Sequence, residues 1–171
     1  MRKTKKIPNQ VGENMAVVQA EYLSERKREK ALRRLAAFMY YPQVVNIVIE
    51  VLRLRGWNVR LNAVQLLVTK IDHPGVIPAL VVVLDDKDGS VSLASCKVLT
   101  LYIDRPGVIP ALTKAVTENQ HFFTRGFACL GIAPVVGHPE TIDALKVAAT
   151  DEHPFVRTAA RKALGRDPVN S

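Results

Sequence analysis

The sequence predicts an all-α protein, a right-handed α-solenoid (α-α superhelix) of about four to five helical hairpins. The first observation is internal repetition: Ile71–Leu80 and Ile103–Leu112 share nine of ten residues at an offset of 32, and Val136–Leu145 is a third copy at an offset of 33. The second observation is the apolar spacing of amphipathic helices within each repeat. The third is that proline, glycine and acidic residues separate the apolar segments.

Each repeat is predicted to contain two helices joined by a turn. In the first helix, apolar residues such as Val76, Leu80 and Val83 recur at helical spacing. In the second helix, the apolar positions are i, i+4, i+7 and i+8, and we expect their side chains to be buried. These four columns are Val59, Val91, Phe123 and Val156; Ala63, Ser95, Phe127 and Ala160; Leu66, Val98, Leu130 and Ala163; and Leu67, Leu99, Gly131 and Leu164.

Prolines and turn residues set the expected boundaries. Pro78 and Pro110 fit only the first turn of a helix, so first helices should begin near Gly75 and Gly107. Turns between the two helices of a repeat are predicted at 85–90 and 150–154, which are rich in turn and N-cap residues. Residues 24–39 have the pattern of one more second helix, and 15–23 that of its degenerate partner.

We therefore predict one solenoid domain over residues 13–168, preceded by a basic, disordered tail at 1–12. The repeats cover about 13–40, 41–72, 73–104, 105–137 and 138–168. The first of these is a degenerate cap, and a terminal repeat with one polar face is what a solenoid needs for solubility.

Residues 151–165 resemble the HEAT-like repeat named after phycobilisome lyases. The matching residues are Asp151, Val156-Arg157, Ala160 and the final Ala-Leu-Gly, and 58–67 match more loosely. The resemblance covers roughly 41–168 and implies the fold, but not a function, because the family includes lyase subunits, DNA-binding proteins, hydroxylases and adaptors.

In such repeats the arginine of Val-Arg usually joins a ladder of ion pairs between neighbouring repeats. The arginine is present as Arg60 and Arg157, whereas Ser92 and Thr124 replace it in the middle of the chain. The resemblance therefore implies an interrupted ladder.

No catalytic or metal-binding constellation is predicted. His73, His138 and His153 each precede proline, which is typical of turns, and the His-Glu pairs with which related hydroxylases hold iron are absent. Cys96 and Cys129 are expected to be core residues. The acidic run 85–88 lacks the other ligands of a calcium loop. We predict a protein that is not an enzyme and has no catalytic residues, metal ions or cofactors.

Two cysteines are too few for a disulfide framework, and the sequence shows neither a signal peptide nor an apolar stretch of about 20 residues. These features favour a cytoplasmic protein that does not insert into membranes.

The positive charge is concentrated at one end of the chain. Residues 1–60 carry 13 Lys and Arg against 5 Asp and Glu, whereas 61–171 carry 11 of each, so the net charge of +8 belongs to the first 60 residues. This asymmetry indicates an acidic partner near that end.

The candidate partner-binding residues form a basic N-terminal cluster and a ridge along the second helices, which line the concave face of such solenoids. The cluster comprises Arg26, Arg28, Arg33, Arg34, Arg53, Arg55, Trp57 and Arg60. The ridge adds Lys97 and Lys162 to Arg33, with Leu61 and Leu93 beside them; Gln65 and Cys129 occupy the same column.

Two functions fit this pattern. The first is a protein-interaction scaffold or adaptor that binds an acidic protein partner on its concave face and basic end. The alternative is a nucleic-acid-binding protein that contacts phosphates through its basic N-terminal third. The scaffold is favoured because the excess charge ends at residue 60. No oligomeric state is predicted.

Overall fold

The chain forms consecutive pairs of α-helices, as the computed structural model of residues 7–165 shows. Within this range there is no β-strand. The α-helices are α1 (Asn9–Gln19), α2 (Glu25–Leu35), α3 (Pro42–Val51), α4 (Trp57–Leu67), α5 (Val76–Val83), α6 (Gly89–Leu101), α7 (Val108–Glu118), α8 (Phe122–Ile132), α9 (Pro139–Ala148) and α10 (Pro154–Leu164). Short 3₁₀ turns follow α2, α4 and α8. The five helix pairs confirm the predicted all-α class.

The chain divides into two compact units, an N-terminal unit (Met1–Val76) and a C-terminal unit (Ile77–Ser171). In the N-terminal unit, α1 packs on α2 and α3, and α4 packs on α2 and α3. In the C-terminal unit, α8 packs against α6, α7 and α10, while α9 packs against α7 and α10. First helices therefore pack on first helices and second helices on second helices, the stacking that defines a repeat protein.

Helix starts follow from local chemistry. Pro42, Pro139 and Pro154 occupy the first turns of their helices, where the missing N–H is not needed. Asp88 caps α6, since its Oδ1 accepts hydrogen bonds from the backbone N–H groups of Ser90 (2.9 Å) and Val91. His153 Nδ1 accepts from the N–H of Phe155 at 3.2 Å and so caps α10. The His-Pro dipeptide at 153–154 thus has the turn role predicted for it.

The second helix α8 has a different register from the predicted one. Phe123, expected in a buried column, is 51% exposed, whereas the next residue, Thr124, is fully buried. The cause lies in the α7–α8 connection: Val116 and Asn119 are three residues apart, but Leu84 and Asp86, like Ala149 and Asp151, are two apart. One extra residue before α8 shifts the helix so that Thr124, Ala128, Cys129 and Ile132 face the core.

The N-terminal boundary also differs from the prediction. Helix α1 begins at Asn9, and Val11 and Val18 are fully buried. Residues 9–12 therefore belong to the first hairpin and not to a tail, because an apolar stripe anchors α1 on its neighbours. The remainder of the predicted tail, residues 1–6, and the predicted end of the last repeat at 166–168 lie outside the described residues.

None of the helices in residues 7–165 is long and apolar enough to cross a membrane.

Candidate partner-binding surfaces

The structure places most of the predicted binding residues on the surface, but not all. Arg26, Arg33, Arg34, Arg53, Arg55, Lys97 and Lys162 are exposed, Trp57 is 46% exposed, and Leu61 and Leu93 are partly buried. Arg28 and Arg60, in contrast, are buried, with 2% and 4% exposure. These two side chains are therefore not surface contacts, and the reason is that they occupy a structural position of the repeat.

The arginines of three second helices make the same hydrogen bond. Arg60 Nη1 donates to the carbonyl of Leu54 (3.1 Å), Arg125 Nη1 to that of Asn119 (3.0 Å) and Arg157 Nη1 to that of Asp151 (2.8 Å). In each case the acceptor lies six residues earlier, in the connection that leads into the helix. The repeat arginine thus ties each of these three second helices, α4, α8 and α10, to the connection that precedes it.

Arg125 also joins two hairpins through an ion pair with Asp151. Its Nε and Nη2 donate to the two carboxylate oxygens at 2.7 and 3.0 Å, and both side chains are largely buried. The hydrogen bonds that Arg125 donates to the Asp151 carboxylate raise the pKa of the guanidinium. Burial alone would raise the pKa of the Asp151 carboxyl, but the hydrogen bonds from Arg125 and from the N–H of His153 hold it below its ordinary value.

The ladder therefore differs from the predicted one at one position. The sequence predicts that Thr124 occupies the arginine position of α8. Because of the extra residue before α8, Arg125 occupies this position instead, and the arginine is present. The interruption at Ser92 is real, and it is compensated. Ser92 Oγ donates to the carbonyl of Leu84 (2.6 Å) and is 2.9 Å from Thr124 Oγ1. Asn119, at the position of Asp151 in the next hairpin, donates to the same carbonyl at 2.6 Å. A neutral pair thus stands where an ion pair would be.

Arg28 is the equivalent arginine of the N-terminal hairpin, 32 residues before Arg60. Leu54 occupies the place of the carboxylate in the following hairpin. Accordingly, the Arg28 Nε and Nη1 atoms are buried and have no hydrogen-bond partner among the described residues. The first step of the ladder lacks its acid.

A groove runs between α1 and α2, and cations line one side of it. Its volume is about 320 Å³, and its lining comprises Asn14, Val17, Leu23, Lys27, Lys30, Ala31 and Arg34. We call it the basic groove. Lys27, Lys30 and Arg34 are exposed, and none pairs with a carboxylate of residues 7–165. Arg33, on another face of α2, is paired with Glu29 at 3.3 Å. The groove combines unpaired positive charge with an apolar floor.

Charge is segregated in the C-terminal unit, although its net charge is close to zero. The second helices α6, α8 and α10 contain no Asp or Glu. The first-helix cations Lys114 and Lys146 sit beside carboxylates, at 3.8 Å from Glu118 and 3.6 Å from Asp143. Lys97 and Lys162, on second helices, have no such partner among the described residues. The acid-free side of this unit is invisible in the charge count of the sequence.

Phenylalanine rings cluster on this acid-free side. The Phe155 ring lies 5.8 Å from that of Phe123 and 5.9 Å from that of Phe127, between centroids. The Lys97 ammonium lies 4.6 Å from the centroid of Phe127, a cation–π distance. Sequence reasoning placed Phe123 and Phe127 in the core and did not assign them to a site; the doublet Phe122-Phe123 was the available signal.

Both cysteines of the chain are core residues. Cys96 and Cys129 are fully buried, and burial raises the pKa of each thiol to about 12, so neither is a thiolate at neutral pH. The predicted ridge position in α8 is Leu130 and not the buried Cys129, again because of the register. Residues 7–165 contain no group of three or more His, Cys, Asp or Glu side chains placed to hold a metal ion.

The fold and its hairpin chemistry define a class of protein, the α-helical repeat proteins. Residues 45–129 match the family model of HEAT repeats. The chain is a HEAT-like repeat protein.

The chain is also similar to a solved structure, the complex of CpcE and CpcF of phycocyanin lyase from Nostoc sp. PCC7120. The TM-score is 0.59 at 18% identity, and the match covers 99% of this chain and 70% of that chain. At this identity the similarity shows the fold alone. A search of the curated proteins found no match.

Proposed function

We propose that this protein is a non-catalytic scaffold that binds an acidic segment of a partner protein in the basic groove. The observation that carries the proposal is the groove itself, in which three unpaired cations of α2 border an apolar floor. Repeat solenoids present extended surfaces of this kind to macromolecular partners. The HEAT-like repeats and a structural neighbour that is one subunit of a two-protein complex support a role in protein binding.

The groove favours an amphipathic acidic peptide over a polyanion that has no apolar side chains. Lys27, Lys30 and Arg34 are spaced three and four residues apart and so project along one side of α2. Val17, Leu23 and Ala31 supply the apolar surface between α1 and α2. A segment with carboxylates on one side and apolar side chains on the other satisfies both, whereas phosphates use only the cations.

Nucleic-acid binding is the second candidate, and one observation favours it. The acid-free second helices extend positive surface beyond residue 60, where the sequence shows no excess of charge. The end of the excess charge at residue 60 is therefore a weaker argument for a protein partner than the sequence alone indicates.

The test compares two double variants that each remove two positive charges. Lys30→Gln with Arg34→Gln alters the basic groove; Lys114→Gln with Lys146→Gln removes exposed cations that lie beside carboxylates on first helices. The probes are a 20-residue amphipathic peptide of Leu and Glu, a mixed-sequence DNA duplex and the matching RNA, each titrated at several salt concentrations.

We expect the groove variant to bind the acidic peptide about tenfold more weakly, and the control variant to bind it like the unmodified protein. Failure of the unmodified protein to bind the peptide contradicts the scaffold proposal. Tight duplex binding that falls steeply with salt and is lost in the groove variant would establish the nucleic-acid alternative.

A further inference from the structure

We infer that the C-terminal unit carries a second docking surface, which binds a partner-protein segment with an apolar anchor side chain next to a carboxylate. We call it the phenylalanine surface and define it by Phe123, Phe127, Phe155 and Lys97. The inference rests on the proposed scaffold function and extends it from one binding surface to two.

The rings of this surface are concentrated and accessible. Four of the five phenylalanines of the chain lie on α8 and α10, and Phe123 is 51% exposed. Exposed aromatic side chains are frequent anchors of protein interfaces, because they bury a large apolar area with few rotatable bonds. The core of the unit is complete without Phe123, since Thr124 faces inward in its place.

The backbone beneath these rings is built to hold them. Gly126 is buried on α8, and a β-carbon at this position would overlap the ring of Phe155. The absence of a side chain at 126 therefore lets the Phe155 ring lie directly on α8, where it is next to the rings of both Phe123 and Phe127. A supported ring loses little conformational entropy on binding.

The electrostatics select the sign of the partner. Lys97 is exposed, has no carboxylate partner among the described residues, and places its ammonium 4.6 Å from the Phe127 ring centroid. No Asp or Glu occurs on α6, α8 or α10. A carboxylate that approaches Lys97 meets no acidic side chain on these helices, and the adjoining carboxylates Asp151 and Glu152 are paired with Arg125. The apolar side chain next to that carboxylate would reach Phe123.

Ring geometry favours a protein segment over a single-stranded nucleic acid. Base stacking requires free ring faces. One face of Phe127 is covered by Lys97, and Phe122 is stacked on His153 at 3.6 Å between centroids. The Phe155 ring contacts two other rings and the surface of Gly126. Only Phe123 offers substantial free area, which suits one inserted side chain better than a row of bases.

The experiment uses the full ¹⁵N-labelled chain and three 12-residue Gly/Ser peptides that contain one central Trp-Glu, Trp-Lys or Ser-Glu pair, with ten-nucleotide thymidine DNA as the competing ligand. We expect the Trp-Glu peptide to shift amide resonances of α8 and α10 and to bind at least tenfold more tightly than the other two. Phe123→Ala should weaken this binding about tenfold. Lys97→Gln should reduce it to the level at which Trp-Lys binds.

Two controls separate this inference from the proposed function. Val147→Ala truncates another exposed apolar side chain, on first helix α9, and should leave peptide binding unchanged. The double variant Lys30→Gln, Arg34→Gln should also leave it unchanged. Loss of Trp-Glu binding in that double variant but not in Phe123→Ala would overturn the inference while leaving the basic groove in place. Binding of thymidine DNA to α8 and α10 more tightly than the peptide would also overturn it.

Discussion

Among single residues, the repeat arginine contributes most to the connections between helices. Arg125 donates to one backbone carbonyl within its hairpin and to two carboxylates of the next, Asp151 and Glu152, so one side chain holds both the connection and the neighbouring hairpin. In α6, Ser92 replaces the repeat arginine, and the partner position in the next hairpin holds Asn119 in place of aspartate. The charge is absent on both sides together, which avoids an unpaired buried carboxylate.

We predict that Asp151→Asn destabilises the protein by about 2 kcal/mol at pH 7, because it leaves the largely buried Arg125 with only the exposed carboxylate of Glu152, 3.4 Å away, as its counter-charge. The measurement is urea unfolding followed by circular dichroism. Since the pKa of Asp151 is lowered in the folded state, its stabilising effect is present above the ordinary Asp pKa of 3.8 and is lost as pH falls through the folded-state value. The difference between the two proteins should therefore shrink below about pH 4.

An equal deficit at pH 7 and at pH 3 would show that the ion pair is not the source. The double variant Arg125→Ser, Asp151→Asn recreates the neutral pair of Ser92 and Asn119. It should lose less stability than the two single variants together, with a coupling of about 1–3 kcal/mol.

Two arginines also mark the limit of what composition reveals at this scale. In the sequence, Arg28 and Arg60 resemble surface residues of a basic cluster because other cations lie within a few residues of each. Their burial depends on the repeat position they occupy, and that position is evident only when the hairpins are superposed. Arg26, Lys27 and Arg34 on the same helix remain on the surface.

On the scale of helices, close approach between second helices depends on small residues. Helix α8 meets α10 at Gly126, under the Phe155 ring, and meets α6 at Gly131, where a β-carbon would overlap Thr100. Both glycines lie inside a helix, where glycine is intrinsically unfavourable. Packing therefore explains their presence.

We predict that Gly126→Ala lowers stability by about 1–3 kcal/mol, because the added methyl group displaces the Phe155 ring. Gly12→Ala is the matched control. Gly12 lies in α1 with nothing within 4 Å of the added carbon, so the same substitution should stabilise by about 0.5–1 kcal/mol. Thermal unfolding of both variants checks the pair. A loss of stability at Gly12 as large as that at Gly126 would show that overlap with the Phe155 ring is not the cause of the loss.

Most helices follow from the sequence, whereas one register does not. Repetition at offsets of 32 and 33 aligns the hairpins with one another, so Val59 and Val91 identify the buried column without a structure. The alignment fails at α8 because Phe123 suits an apolar column better than Thr124 does. The hydroxyl of Thr124 is accommodated by Ser92, and this pairing across 32 residues cannot be anticipated from either residue alone. The phenylalanine surface was missed for the same reason.

For the molecule as a whole, a repeat architecture implies that stability is a sum of local terms. Within each of the two units, hairpins pack on their sequence neighbours, and long-range coupling is expected to be weak. Within the C-terminal unit, α8 is the helix most involved in packing, since it contacts α6, α7, α9 and α10. A substitution that disturbs α8 should therefore destabilise those four helices before any others.

We predict that hydrogen exchange in Gly126→Ala accelerates in α8, α10 and the helices packed on them, while α1, α2 and α3 keep the protection of the unmodified protein. Exchange measured by mass spectrometry on peptic fragments distinguishes the two regions. A uniform acceleration across the chain would contradict this and show that it unfolds as one cooperative body.

The acid-free second helices have a further consequence for the C-terminal unit. Residues 77–171 carry 10 Lys and Arg and 10 Asp and Glu, so their net charge is zero, yet the described carboxylates lie on first helices and connections. The unit is therefore an electric dipole. In the field of an acidic macromolecule it would turn its second helices forward before contact, and diffusional encounters would be productive more often than random collisions. Added salt would slow association by screening this orientation, although the unit as a whole is neutral.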